Sequence, residues 1–289
     1  MAGLRRLLGI GREGWKELVK RSYDRFGEVQ LTDRAAALAY YGFLSLFPAL
    51  IVAVALLALF GSYPETYDRI IETLREAAPG TAVDTIDSAL RDVLRGRGAG
   101  NLLGIGLLFA LITASGAVGA AIRALEAINE TVSEARFVRD NLTRLWLTVA
   151  LMALFLIAFA SLLIAGPIFA SISEAAGLGE VGRKVVAIAR YPVGMAALLA
   201  ATLLLYSRGP AATRRRLADH IPGALLAAML WVIASLGFSF YVSNFSSYDA
   251  TYGTLGAVIV LLVWIYVISV AMLIGAVVNR ELVLMRGQR

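Results

Sequence analysis

The sequence predicts an all-α integral membrane protein with six transmembrane helices, and two observations carry this prediction. The first is composition: 59% of the 289 residues are hydrophobic and only 17% are charged, unlike an average soluble domain. The second is a series of long segments that contain no charged side chain. A helix needs about 20 apolar residues to cross a bilayer core ~30 Å thick, and helices that are apolar on every side must be buried or surrounded by lipid.

The predicted spans follow these uncharged segments in chain order. The last two are the clearest, because only the polar link 248–253 separates two segments of full membrane-crossing length. The six spans are placed at about 35–62, 101–122, 145–173, 185–207, 221–245 and 254–279. Together they form a single membrane domain over residues 1–289.

Residues 13–30, before the first span, have the pattern of an amphipathic surface helix. Trp15, Leu18, Val19 and Tyr23 recur at helical spacing, with lysines and arginines beside them. This pattern is typical of a helix that lies in the membrane surface with its basic residues toward anionic headgroups.

Two longer connections also have helical character. Residues 63–100 contain two short amphipathic segments, which predict a helical hairpin outside the membrane. Residues 123–144 predict a charged helical connector, in which Glu126, Glu130 and Glu134 share one face. A solvated face explains these three acids better than a cation site, because no His or Asp joins them.

The orientation follows from the basic residues. With six spans both termini lie on one side, and that side carries most of the lysines and arginines. The positive-inside rule therefore places both termini in the cytoplasm. Topology and anionic lipid account for the net charge of +6, so the sequence predicts membrane lipids, and no nucleic acid, as partners. A homo-oligomer is an open alternative.

Several residues within or next to the spans are candidates for a substrate pathway. Pro48 lacks an amide hydrogen and would free a backbone carbonyl near the middle of span 1, and broken helices of this kind build transporter sites. A plain kink is the alternative. The candidate pathway residues are Tyr40, Tyr41, Ser45, Pro48, Ser115, Arg190, Asn244, Tyr248, Asp249, Tyr252 and Asn279.

The sharpest of these hypotheses is an ion pair between Asp249 and Arg190 at the outer mouth. Both residues are predicted at the same outer depth, and an ionisable residue inside a span indicates function. The alternatives are that Arg190 reaches the surface with its long side chain and that 248–253 is a tight turn with interfacial tyrosines. Both remain open.

Short stretches spread over most of the chain resemble the YihY/BrkB family of bacterial inner-membrane proteins. The segments around Pro48 and Tyr252 are the most specific. Where members of that family usually have Glu after Gly275-Ala276, this chain has Val277. The stretches that carry the resemblance are 33–41, 44–48, 123–129, 136–137, 222–224, 238–241, 248–253, 264–266 and 275–281.

The resemblance implies two different activities. One label of the family is ribonuclease BN, and the other is a virulence or serum-resistance factor with a transport function. The residues speak against the nuclease, because phosphodiester cleavage needs positioned acid and base groups or metal-binding carboxylates. His220 is the single histidine, it lies beside a span, and we expect it to be an interfacial residue.

The leading functional hypothesis is therefore a transporter or exporter of a small amphiphilic, lipid-like or anionic solute, without enzymatic activity. Polar groups are few in the spans, which favours an amphiphile over a sugar or a free ion. The chain has no cysteine and no Walker motif, and no cofactor or metal is predicted. The alternative is a scaffold protein that engages partners through its cytoplasmic helices.

Overall fold

The structure, a computed structural model, describes residues 12–60, 99–131, 137–163, 180–210, 216–244 and 254–287. These residues form seven α-helices and a short 3-10 helix, Leu217–His220. The prediction of an all-α protein is confirmed for this part of the chain. The helices are α1 (Arg12–Glu28), α2 (Leu31–Phe60), α3 (Ala99–Asn129), α4 (Phe137–Leu163), α5 (Glu180–Arg208), α6 (Ile221–Asn244) and α7 (Thr254–Gly287).

Helices α3 to α7 each contain a segment that is long and apolar enough to cross a membrane. Only 11–39% of the residues in these segments are buried inside the protein. Large apolar side chains such as Ile112, Leu236 and Phe240 are exposed instead, as expected for helices that face lipid. The five segments are Leu108–Asn129, Asn141–Ala158, Tyr191–Arg208, Leu217–Phe240 and Val258–Gly287.

Helix α2 occupies the position of the first predicted span. It contains Pro48 and runs over 30 residues, which is long enough to cross a bilayer. Its side chains are described only as far as Ser45, so six spans remain a prediction. The predicted hairpin at 63–100 lies almost entirely outside the described residues, as does the end of the predicted span 145–173 after residue 163.

Helices α2 to α7 alternate in direction, so one end of the bundle collects α1, the starts of α2, α4 and α6, and the ends of α3, α5 and α7. We call this the α1 end. The most extensive helix pairings are α6 with α7 and α2 with α3. The largest buried cluster of the described residues includes Leu31, Leu125, Ile128, Leu147 and Leu273, and its members come from all six helices α2 to α7.

Helix α3 continues beyond the predicted end of its span at residue 122, because Ala124, Leu125 and Ile128 are buried in the core. It ends at Asn129, and Glu130 follows in the left-handed region with φ 54°. The amide of Thr131 then donates to Glu126 O at 3.0 Å, which closes a Schellman-type cap. The predicted helical connector over 123–144 is therefore interrupted at Glu130, which does not share a helix face with Glu126, and Glu134 lies outside the described residues.

Helix α1 confirms a helix near residues 13–30, but its apolar residues are divided between two surfaces. Leu18 is buried against Leu282 of α7. Trp15, Val19 and Tyr23 are exposed on the adjacent face. The prediction that one apolar face lies in the membrane surface is therefore incomplete, because part of that face attaches the helix to the bundle.

Candidate functional site

The aromatic and hydroxyl residues predicted for a pathway on α2 have different environments. The ring of Tyr41 lies against Gly116 of α3, where an added methyl group would come within 3.1 Å of it. Tyr40 is exposed, and its ring meets that of Tyr41 edge-on at 5.5 Å. Ser45 Oγ donates to Gly42 O at 2.7 Å within its own helix. Of these three residues, Tyr41 is the one that reaches the neighbouring span.

An arginine near the start of the apolar segment of α4 lies beside Tyr41. Arg144 belongs to the first turn of the apolar segment Asn141–Ala158 of α4, and its Nε donates to Ser115 O of α3 at 2.7 Å. Its guanidinium covers Gly119, where a Cβ would lie 2.5 Å from Cζ. Thus a glycine provides the space and a backbone carbonyl provides the anchor for a cation between two spans.

The depth of this guanidinium follows from the helix rise. Gly119 lies ten residues before the end of α3 at Asn129, which is about 15 Å along the helix axis. Gly119 therefore lies nearly three helical turns from the end of α3. The backbone of Arg144 also accepts a hydrogen bond, because the Thr148 hydroxyl donates to Arg144 O at 2.7 Å.

A second arginine adds to the positive charge here. Ser115, Gly119 and Arg123 follow one another at intervals of four residues, so they share one face of α3. Arg123 and Tyr41 both lie within electrostatic range of Arg144. Among the described residues, the ion pairs include no carboxylate partner for Arg123 or Arg144. We call Tyr41, Ser115, Gly119, Arg123 and Arg144 the arginine site.

Asn279, also predicted for the pathway, lies at a closed helix junction. Its Oδ1 accepts from Gly223 N at 2.6 Å and its Nδ2 donates to His220 O at 3.0 Å. The amide therefore satisfies a free N–H at the start of α6. His220 is buried in the protein, and its position at the membrane interface stays a prediction.

Glycine contacts make this junction tight. A Cβ on Gly223 would collide with Gly275 O, and a Cβ on Gly275 would collide with Gly223 O. Tyr206 of α5 is buried beside them and donates its hydroxyl hydrogen bond to Met272 O of α7. Val277, where the related family usually has Glu, is buried in the same core. The polar groups at this junction are used for helix packing.

Ion pairs join three helices at the α1 end. Arg25, which is 8% exposed, donates from Nη2 to Ala127 O at 2.7 Å and Ile128 O at 3.1 Å of α3. Glu130 Oε1 lies 2.8 Å from Arg25 Nη1 and 2.9 Å from Arg280 Nη2. Arg280 also pairs with Glu281. We call Arg25, Glu130, Arg280 and Glu281 the ion-pair clasp.

The remaining predicted site residues are not tested by these contacts. Pro48, Arg190 and Asn244 lie within α2, α5 and α6, but their side chains are outside the described set. Tyr248, Asp249 and Tyr252 lie in the link 245–253, which is outside it altogether. The Asp249–Arg190 pair stays a prediction.

Sequence reasoning missed Arg144 as a site residue, because it counted this arginine with the basic connector between spans 2 and 3. The available signal was the spacing of Ser115 and Gly119, which opens a face of α3 wide enough for a large side chain. Among the described residues, no three His, Cys, Asp or Glu side chains lie together in a way that could hold a metal ion.

The fold and these interhelical sites define an all-helical, multi-pass membrane protein. The chain belongs to the Virulence factor BrkB family, whose model matches residues 22–289. It is 31% identical over 261 residues to the ribonuclease-like protein YfkH of Bacillus subtilis (strain 168), covering 90% of this chain and 93% of that protein.

Other relatives are named only as membrane proteins. The chain is 29% identical over 268 residues to the UPF0761 membrane protein PSHAa0171 of Pseudoalteromonas translucida, covering 91% of this chain and 83% of the relative. It is 28% identical to the UPF0761 membrane protein XAC0937 of Xanthomonas axonopodis pv. citri, covering 94% of this chain and 60% of that protein. No solved structure matches the chain.

Proposed function

We propose that the protein is a membrane carrier for a small amphiphilic, lipid-like or anionic solute in the bacterial inner membrane. The observation that carries this proposal is the arginine site. A guanidinium between two spans is expensive to place in a membrane, and such residues mark pathways for solutes or ions. Arg144 lies there on a backbone carbonyl, with no ion-pair partner among the described residues.

The surroundings of the site favour an amphiphile. Leu145 and Trp146, which follow Arg144 on α4, are exposed on the apolar outer surface. A solute with a charged head and an apolar tail could therefore place its head between α3 and α4 while its tail remains in lipid. A sugar would need many more polar partners than the spans provide.

We do not propose ribonuclease activity, although one relative bears the name ribonuclease-like. The single histidine is buried at the helix junction where its backbone carbonyl accepts from Asn279 of α7. General acid–base cleavage of RNA would need such a group to reach a substrate. The protein is accordingly proposed to have no enzymatic activity and to bind no nucleic acid.

A transport assay in proteoliposomes tests the carrier. The purified protein is reconstituted with a fluorescent short-chain phosphatidate, and the fraction that moves between leaflets is measured by quenching from outside. We expect faster movement than in protein-free vesicles, and slower movement with Arg144→Gln. Equal rates with wild type and with protein-free vesicles, for this probe and for a fluorescent organic carboxylate, would contradict the carrier.

A scaffold is the second candidate, and the exposed face of α1 favours it. Trp15, Val19 and Tyr23 are exposed at the α1 end, on a helix that is itself fixed to the bundle. A partner helix could bind such a stripe. Cross-linking in cells at Val19, with no transport in vesicles, would support this candidate over the carrier.

A further inference from the structure

We infer that Arg144 and Arg123 form a binding site for a phosphate group, with Tyr41 at its border, and that the bound molecule enters from the lipid-facing side. The inference deepens the proposed function. Only the statement that the bound molecule is the transported solute rests on that function. The binding site itself is argued from the geometry of α2, α3 and α4.

The first argument is the imbalance of charge. The Arg144 guanidinium lies over Gly119, and Arg123 follows Gly119 by one turn on the same face of α3, so two positive charges share this stretch of the α3–α4 interface. Like charges that lie near each other repel, and the repulsion is larger where water is scarce. The nearest acid along the same helix face, Glu126, is one turn beyond Arg123 and has other interactions of its own. An anion between the two arginines would remove the repulsion.

The second argument is the number of donors that remain. Arg144 uses Nε for Ser115 O, and this single contact fixes the plane of the group. Its two Nη atoms make no hydrogen bond with the described residues, and neither is fully buried. A guanidinium held in this way presents paired N–H groups, which match two oxygens of a phosphate or carboxylate.

The choice of phosphate rests on charge. Two arginines match the charge of a phosphate monoester, about −1.5 to −2 near neutral pH, better than that of a single carboxylate. The exposed Leu145 and Trp146 next to the site favour a ligand with an apolar tail. The same chemistry is offered by a lipid headgroup and by free phosphate, and these two sources can be separated by experiment.

The absence of a side chain at Gly119 makes room for the Arg144 guanidinium, so a substitution at Gly119 can displace this group and keep its charge. A Cβ at Gly119 would lie 2.5 Å from Arg144 Cζ and 2.6 Å from Nη2. Since these atoms are the end of a flexible side chain, Gly119→Ala should displace the guanidinium without moving the helices. This variant separates a positioned donor pair from a general attraction of positive charge.

Binding of dihexanoyl phosphatidate to the purified protein in an uncharged detergent tests the site, with dihexanoyl phosphatidylcholine as the neutral comparison. We expect phosphatidate to bind more tightly, and Arg144→Gln to weaken it by about ten-fold or more, as for loss of a charge-assisted hydrogen bond. Arg123→Gln and Gly119→Ala should also weaken it. Arg21→Gln, which removes a positive charge from an exposed pair on α1, should leave it unchanged.

Competition with inorganic phosphate identifies the source. Displacement of phosphatidate by millimolar phosphate would show that the headgroup suffices, and lack of displacement would show that the tail is required; either result supports the site. Equal binding by wild type and by both Arg144→Gln and Gly119→Ala, with all proteins monodisperse, would overturn it. Normal binding without transport would overturn the carrier but not the site.

Discussion

At the scale of single residues, Asn279 shows how a polar side chain in a span can serve packing. Its amide oxygen and nitrogen are both hydrogen-bonded across the α6–α7 junction, to Gly223 N and His220 O. Unpaired polar groups are costly inside a membrane, so each partner depends on the other. The contrast with Arg144, whose Nη groups remain available, distinguishes a structural polar residue from a candidate binding residue.

Replacing Asn279 by Ala should destabilise the protein by about 1–3 kcal/mol, because it leaves the amide of Gly223 and the carbonyl of His220 without a partner. The midpoint of thermal unfolding in detergent measures the effect. Asn279→Asp keeps an acceptor at the positive end of α6 and should lose less. An Ala variant as stable as the wild type would show that water satisfies these groups.

Gly223→Ala should also be destabilising, by about 1–3 kcal/mol, since the new methyl group would force α6 away from Gly275. Gly237→Ala is a matched control on the same helix. No atom lies within 4 Å of a Cβ at Gly237, and Ala is the better helix former. Its unfolding temperature should be unchanged or higher. Equal losses for both variants would contradict the close approach of the helices.

At the scale of elements, the ion-pair clasp ties α1 to α3 and α7. Arg25 satisfies carbonyls at the end of α3, and Glu130 lies between Arg25 and Arg280. Glu130 adopts a left-handed backbone conformation that costs roughly 1–2 kcal/mol for a residue with a side chain. Glu130, whose side chain pairs with two arginines, therefore occupies a backbone conformation in which glycine would be more stable.

Replacing Glu130 by Gln should loosen α1, because the two nearly buried arginines would lose the charge between them. We expect faster hydrogen exchange at the amides of Arg12–Glu28, measured by mass spectrometry. Glu17→Gln is the control, since Glu17 pairs with Arg21 on the exposed side of α1. Unchanged exchange in the Glu130 variant would mean that the Leu18–Leu282 contact and the hydrogen bonds of Arg25 to α3 hold α1 without this carboxylate.

The stabilising effect of the Glu17–Arg21 pair should depend on pH in a defined direction. The hydrogen bond from Arg21 lowers the pKa of Glu17 below its ordinary value. Any contribution of this pair to the stability of α1 is therefore present above the ordinary pKa of Glu. It is lost as the pH falls through the lowered pKa of Glu17. Because the pair is solvent-exposed, its effect on the exchange of α1 should be small at all pH values.

The sequence predicted the all-α class and the helices α3 to α7, because apolar segments of membrane-crossing length are a strong signal. It did not predict where α3 ends, since burial of Leu125 and Ile128 depends on contacts with other helices. Arg144 was left out of the candidate site, and the hydrogen-bond partners of Asn279 were not predicted, for the same reason. The neighbours of a polar side chain in a bundle are set by helix packing, which periodicity does not reveal.

At the scale of the whole molecule, the alternation of α2 to α7 places α1 and the end of α7 at the same end of the bundle. The clasp shows this directly, because Arg25 and Arg280 contact one carboxylate. The excess of basic residues predicts that this end is cytoplasmic. The structure thus has a tightly packed junction at Gly223–Gly275 and a charged interface between α3 and α4.

The absence of cysteine from the sequence permits a clean test of topology. We expect Lys20→Cys, on α1, to react with a membrane-impermeant maleimide only after the cells are opened. Ser88→Cys, in the predicted outer connection, should react in intact cells. Labelling of both variants in intact cells would contradict the predicted orientation and the number of spans.

Native mass spectrometry of the protein extracted in mild detergent tests the central claim most directly, because it reports what the arginine site holds in the cell. The account predicts a phosphate-bearing lipid or small phosphate ester at fixed stoichiometry in wild type and in Arg21→Gln. Its occupancy should fall in Arg144→Gln and in Gly119→Ala. Equal occupancy in all four proteins, or only unselective bulk lipid in each, would contradict it.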